Sequence, residues 1–148
     1  MEMTNELNKF LSYIHMGTSV YRIYYSEAKK FKDESLESLI TEVIEIFKTH
    51  EEQITKLINS FNEEATNSLT AAGLFGVYKE KMKIFDSPLD ICLSALKATN
   101  MGTISALKFL NSNKNLHDNV KEEIYDVIND YGIIEKKWIE YSLNNICK

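Results

Sequence analysis

Between Glu63 and Asp86 the chain carries Leu69-Thr70-Ala71-Ala72-Gly73-Leu74-Phe75-Gly76-Val77-Tyr78, a connection far longer than the two others that join its hydrophobic stripes. Set at about 100° per residue, the sequence before it yields two apolar faces. The first runs through Leu7, Phe10, Leu11, Ile14, Thr18, Tyr21, Tyr25 and Ala28. The second runs from Leu36 through Ile40, Val43, Phe47, His50, Ile54 and Ile58 to Phe61. After it, a third face reads Leu89, Cys92, Leu93, Leu96, Asn100, Thr103, Leu107 and Leu110, and a fourth Val120, Ile124, Val127, Tyr131, Ile134, Trp138 and Tyr141. Lys32-Asp33-Glu34-Ser35 and Asn111-Ser112-Asn113-Lys114-Asn115 are short polar reversals. Each predicts an antiparallel hairpin, with Asp33 or Ser35 capping one helix and His117 or Asp118 opening another.

The stretch 63–86 is long enough to run from one end of such a bundle to the other, and its middle predicts a short fifth helix. Two hairpins joined by one long crossover is the ferritin-like four-helix topology, whereas an up-down-up-down bundle needs three short loops. Ser87-Pro88 marks the start of the third long helix, with Ser at the cap and Pro at the first helical position. Five glycines and one proline among 148 residues fall well below the roughly one residue in eight that these types average, so a turn-rich β sandwich or doubly wound α/β fold is disfavoured. The expectation is one all-α domain over residues 1–148, without repeats.

Seventeen basic and 22 acidic side chains give a formal charge of −5. The densest basic stretch, Lys79-Glu80-Lys81-Met82-Lys83, reads as a solvated helix face, so no nucleic-acid footprint is expected. No apolar run is long enough to span a bilayer, and the first residues lack the basic-then-apolar order of a secretory signal. Cys92 and Cys147 form neither a metal-type spacing nor a disulfide framework, which suits a reducing cytoplasm.

Halfway along the four stripes the pattern turns polar at Thr18, His50, Asn100, Thr103 and Tyr131. That is where a bundle would hold a cofactor. A di-iron carboxylate centre requires inward Glu residues and Glu-x-x-His motifs, but the residue three before His50 is Phe47. Only Glu51 and Glu135 lie at the edges of their stripes, so His50, Glu51 and Glu135 form a thin ligand set. The expectation is a hydrogen-bonded structural layer without cofactor, the alternative a degenerate iron site. His15 and His117 have no acid or thiol at useful sequence spacing and are expected at surface or capping positions. No catalytic residue is assigned.

Leu7-Asn8-Lys9-Phe10-Leu11 followed by Gly17 and Tyr21, the crossover Ser68-Leu69-Thr70-Ala71-Ala72-Gly73-Leu74-Phe75, and Asn100-Met101-Gly102-Thr103 together resemble the YciF-like group. That group comprises ferritin-like bacterial stress-associated proteins without a known biochemical activity. The likeness spans Leu7 to about Leu143. It implies the fold and a stress- or dormancy-related setting, but no activity. Group members often carry acidic residues around the third-helix glycine and a His-Asp pair late in the fourth helix. Here those positions are Asn100 and Thr103, then Lys137 and Trp138, so the resemblance too implies missing metal ligands.

Tyr13, Val20, Tyr24 and Phe31 form a second apolar cluster on the first helix, about 100–120° from its main stripe. Two readings are open. The crossover, through Leu74, Phe75, Val77 and Tyr78, covers them, or they form a self-association or partner surface. The functional expectation is a non-enzymatic scaffold or interaction protein acting as a homo-oligomer or with a protein partner. The alternatives are iron handling or oxidation at the degenerate site, and a small ligand held beside His50, Asn100 and Tyr131.

Overall fold

The computed structural model describes residues 2–148, with five α-helices and, among the described residues, no strand. These are α1 (Glu2–Ala28), α2 (Glu34–Ser60), α3 (Ala71–Met82), α4 (Pro88–Ser112) and α5 (Asp118–Asn145). Local chemistry places their ends. A 3₁₀ turn at Lys29–Phe31 ends on Lys32 in the left-handed region (φ 51°), and the Asp33 side chain then accepts the Leu36 N–H to start α2. Thr70 accepts the Gly73 N–H ahead of α3, and Ser87 accepts the Asp90 N–H ahead of Pro88. These caps satisfy backbone donors that a helix start leaves without partners. His117 precedes α5 without a side-chain cap.

Helix α1 packs against α2, α4 and α3, while α5 packs against α4 and α2. Cross-helix pairs give the directions. Phe10 meets Phe109 and Tyr21 reaches the Ala95 carbonyl. His15 meets Glu51 and Tyr21 meets Phe47. His50 meets Asp130 and Glu42 pairs with Lys137. Gly102 abuts Tyr131 and Cys92 lies beside Ser142. Each time numbers rise on one helix as they fall on its neighbour, so the four adjacent pairs are antiparallel. Helices α2 and α4 therefore run the same way, and the crossover carries the chain back along α1. Asn8 bonds the Glu64 carbonyl and the Thr66 N–H, Ser12 donates to the Ser68 carbonyl, and Phe85 lies edge-on against Tyr24.

The buried face of α4 is Ile91, Cys92, Ala95, Thr99, Ala106 and Phe109, which corrects the stripe expected from its large residues. Asn100, Leu93 and Leu107 are exposed. The reason is volume. Tyr21, Tyr131 and Phe10 project from the neighbouring helices, so α4 turns its small residues inward, and a Cβ on Gly102 would stand 2.9 Å from the Tyr131 ring. Close packing sets the phase here, not side-chain size alone.

One polar chain crosses this interior. Trp138 Nε1–H donates to the Tyr21 hydroxyl (2.9 Å), and Thr99 Oγ1 donates to the Ala95 carbonyl (2.8 Å). The Tyr21 hydroxyl thus gives its hydrogen to Thr99 Oγ1 at 2.7 Å. Trp138 and Tyr21 have no exposed surface and Thr99 has almost none, so each donor relies on the next group. Tyr21→Phe strands the indole N–H and should cost about 1–3 kcal/mol, the range for a buried donor left unmade. Urea unfolding should show a lower midpoint at unchanged slope. A loss below about 0.5 kcal/mol would mean the chain contributes little.

Candidate functional site

The sequence-predicted polar layer is only partly assembled. Thr18, His50 and Tyr131 are buried, Thr103 is half-buried, and Asn100 faces solvent and is not part of it. Thr99, one position earlier, is the buried polar residue of α4. It went unread because a threonine among alanines carries no signal until their inward phase is known.

His50 is almost wholly enclosed, between the rings of Phe47 and Tyr131. Its Nε2 lies 2.8 Å from Asp130 Oδ2, and its Nδ1 is buried without a partner. Burial lowers its pKa and outweighs the pull of Asp130, so the ring is neutral, with Nε2–H donating to the carboxylate.

On the other side of α2 a second group forms. His15 Nδ1 lies 2.6 Å from Glu51 Oε2, and His15 Nε2 donates to the Thr66 carbonyl at 2.9 Å. Thr18 donates to the other Glu51 oxygen. The bond to Glu51 is the main reason the His15 pKa is raised. Burial alone would raise that of Glu51, but bonds from His15 and Thr18 outweigh it and hold the carboxyl below its usual range. The pair is ionic and ties α1, α2 and the crossover together. His15 is therefore half-buried rather than at a surface or capping position; its acid partner is distant in sequence and becomes its neighbour only through the hairpin. His117 is exposed and lies tilted against the Phe61 ring near the end of the helices.

His50, Glu51 and Glu135 do not converge. His50 is held by Asp130, Glu51 by His15 and Thr18, and Glu135 has one buried oxygen without a partner. Among the described residues no three His, Cys, Asp or Glu side chains are grouped so as to hold a metal ion. Neither histidine has both a free ring nitrogen and an opening to solvent, so neither is set up to exchange protons with a substrate. Cys92 is buried, which raises its thiol pKa and makes it unreactive.

The proposed surface on α1 also changes. Val20 and Tyr24 are buried, Phe31 is half-buried, and only Tyr13 is exposed. Tyr24 packs on Phe85 and its hydroxyl reaches the Ser94 carbonyl. Helix α1 has three neighbours, so its buried arc is wider than a four-helix ring alone requires. The cover comes from Phe85, α4 and the glycine side of α3, while Leu74, Phe75 and Tyr78 face outward. Beneath α3 a cavity of about 340 Å³ remains, reaching down to Phe47 and Tyr131. No family model, curated protein or solved structure matches this chain. Among the described residues no helix is long and apolar enough to cross a membrane.

The two histidines have opposite pH signatures. His15 has a raised pKa, so its contribution is complete below 6.5 and is lost as pH rises through the folded value. That of Glu51 is complete above 4.5 and is lost on acidification, so the pair is strongest between these limits. His15→Gln should cost about 1 kcal/mol near pH 6 and less near pH 9, as read by urea unfolding. A pH-independent cost would contradict the ion pair. His50 has a lowered pKa, so its contribution is complete above 6.5 and is lost as pH falls. His50→Leu should therefore flatten the fall in stability between about pH 6.5 and 5, since Asp130 is partly exposed and tolerates the loss of its partner. An unchanged slope would assign that fall to other groups.

Proposed function

We propose that this chain is a non-enzymatic, ferritin-like four-helix bundle that acts as a scaffold by associating with itself. The order of neighbours, the antiparallel pairs and the crossover along α1 support the ferritin-like reading. The resemblance to the YciF-like stress-associated group supports a protective or dormancy-related setting over a catalytic one.

The observation that carries the association is the outer face shared by α4 and α5. Leu93 is 56% exposed, Leu107 52%, Tyr125 49%, Ile139 50% and Leu143 59%. The contacts Gly102–Tyr131 and Cys92–Ser142 fix the register of the two helices. They bring Leu107 level with Tyr125, Asn100 with Gly132, and Leu93 with Ile139. Moreover, Leu89, Leu93, Leu96, Asn100, Thr103, Leu107 and Leu110 alternate in steps of four and three. That is a coiled-coil seam with one asparagine at its centre, the device that fixes register between two helices. An isolated chain leaves half of this seam in water, at a cost of about 25 cal/mol per Å² of apolar surface. Gly132 fits the same reading. It lies mid-helix with open space around its missing Cβ, a cost of roughly 0.5–1 kcal/mol that no internal contact offsets. A second copy packing closely there would account for it.

Wild-type protein should sediment at about twice the 17.1 kDa chain mass. A Leu107→Glu, Ile139→Glu variant should sediment as a monomer with unchanged helical circular dichroism, because both side chains are already half exposed. A Phe75→Glu, Tyr78→Glu variant on the outer side of α3 should remain a dimer. A monomeric wild type at tens of micromolar, or dissociation by the α3 variant instead, would sink the assignment.

A further inference from the structure

Beyond self-association, we infer that the cavity beneath α3 is a binding site for a medium-chain amphipathic carboxylic acid with a second polar group at its far end. It lies between α1, α3 and α4, apart from the α4–α5 face, and each wall adds a constraint.

Glycines on three helices line the cavity and let neighbouring side chains pack close against its walls. Gly17 faces Phe47, Gly76 faces Met16, and Gly102 faces the Tyr131 ring. Side chains already crowd the positions where Cβ atoms would stand, so larger residues would displace the walls. At about 340 Å³ the cavity is roughly twice the engineered 150 Å³ void that accepts benzene, which suits a ligand of about a dozen heavy atoms. It also falls within the range of small-molecule sites. Val20, Phe47 and Ala98 make the middle apolar.

The two ends are polar in different ways. Tyr131 lines the inner end, and its hydroxyl, which makes no hydrogen bond to the described residues, opens onto the cavity rather than being sealed in the core. Burial raises its pKa, so it is a neutral phenol with a hydrogen to donate. A hydroxyl that opens onto a cavity is available to a ligand or to water. The mouth carries Lys79, Lys83 and Lys97 with a single acid, Glu80. Lys83 pairs with one Glu80 oxygen at 2.8 Å while the other is buried without a partner, and Lys79 lies over the Phe75 ring. With the exposed Lys97 these leave the mouth net positive on a chain of net charge −5. A carboxylate at the mouth, a saturated chain along the apolar middle and a hydroxyl or carbonyl at Tyr131 match these features in order.

Titration calorimetry on the full chain with octanoate, ω-hydroxyoctanoate, octanol and octylamine tests this. Both acids should bind, with the hydroxy acid roughly two- to tenfold tighter, the gain from one hydrogen bond. Lys79→Gln combined with Lys97→Gln, both on the surface, should weaken the acids by roughly threefold to tenfold and leave octanol unchanged. Tyr131→Phe should remove the preference for the hydroxy acid while leaving octanoate binding in place. Octanol or octylamine binding as tightly as octanoate, or no heat from either acid at millimolar concentration, would overturn the proposal.

Discussion

Trp138 donates to Tyr21, Tyr21 to Thr99, and Thr99 to the Ala95 carbonyl, and these bonds fix how α5, α1 and α4 face one another. Apolar packing alone would tolerate sliding or rotation of one helix against the next, since Leu and Ile surfaces are interchangeable within about a kilocalorie. A directional chain of buried donors is not tolerant in this way. If one helix turns, a donor is stranded where water cannot reach it. The remaining long helix, α2, joins through Phe47, whose ring meets Tyr21 edge-on with centroids 5.0 Å apart. Tyr21 is therefore the point at which all four long helices meet, and it is fully buried.

The hairpins, the crossover and the caps at Asp33 and Ser87 follow from local chemistry, and the sequence shows them through periodicity and turn composition. The phase of α4 does not follow locally. Its leucines outvote its alanines on any wheel, yet the alanines face inward because aromatic rings from α1 and α5 occupy the space. The His15–Glu51 pair was hidden for a related reason: the two residues are far apart in sequence, and only the hairpin brings them within 2.6 Å. For Val20 and Tyr24 two readings stay open at the level of sequence, because the composition of α1 does not tell whether the crossover or another protein covers them. The small-ligand alternative pointed to Tyr131, but the cavity's place beneath α3 could not be read, since a void depends on how several helices fail to fill a space.

The misread stripe of α4 is informative in its own right. Helix α4 has two apolar arcs, an inner one of small residues and an outer one of leucines, and a helix apolar on both sides is at home inside a larger body. Its two neighbours differ. On one flank α5 continues the outer apolar surface, and on the other α3 bridges the gap to α1 and encloses the cavity. The proposed association face and the cavity thus lie on opposite flanks of one helix.

Trp138 is the only tryptophan in the chain, and its indole bonds to a partner 117 residues away. Neither hairpin can make that contact by itself, and contacts so remote in sequence form only after the intervening loops have closed. The fluorescence of this protein is therefore silent about helix formation inside each hairpin. It reports instead the moment when the two halves dock and the interior dries, and it separates that step from the far-ultraviolet signal of the helices.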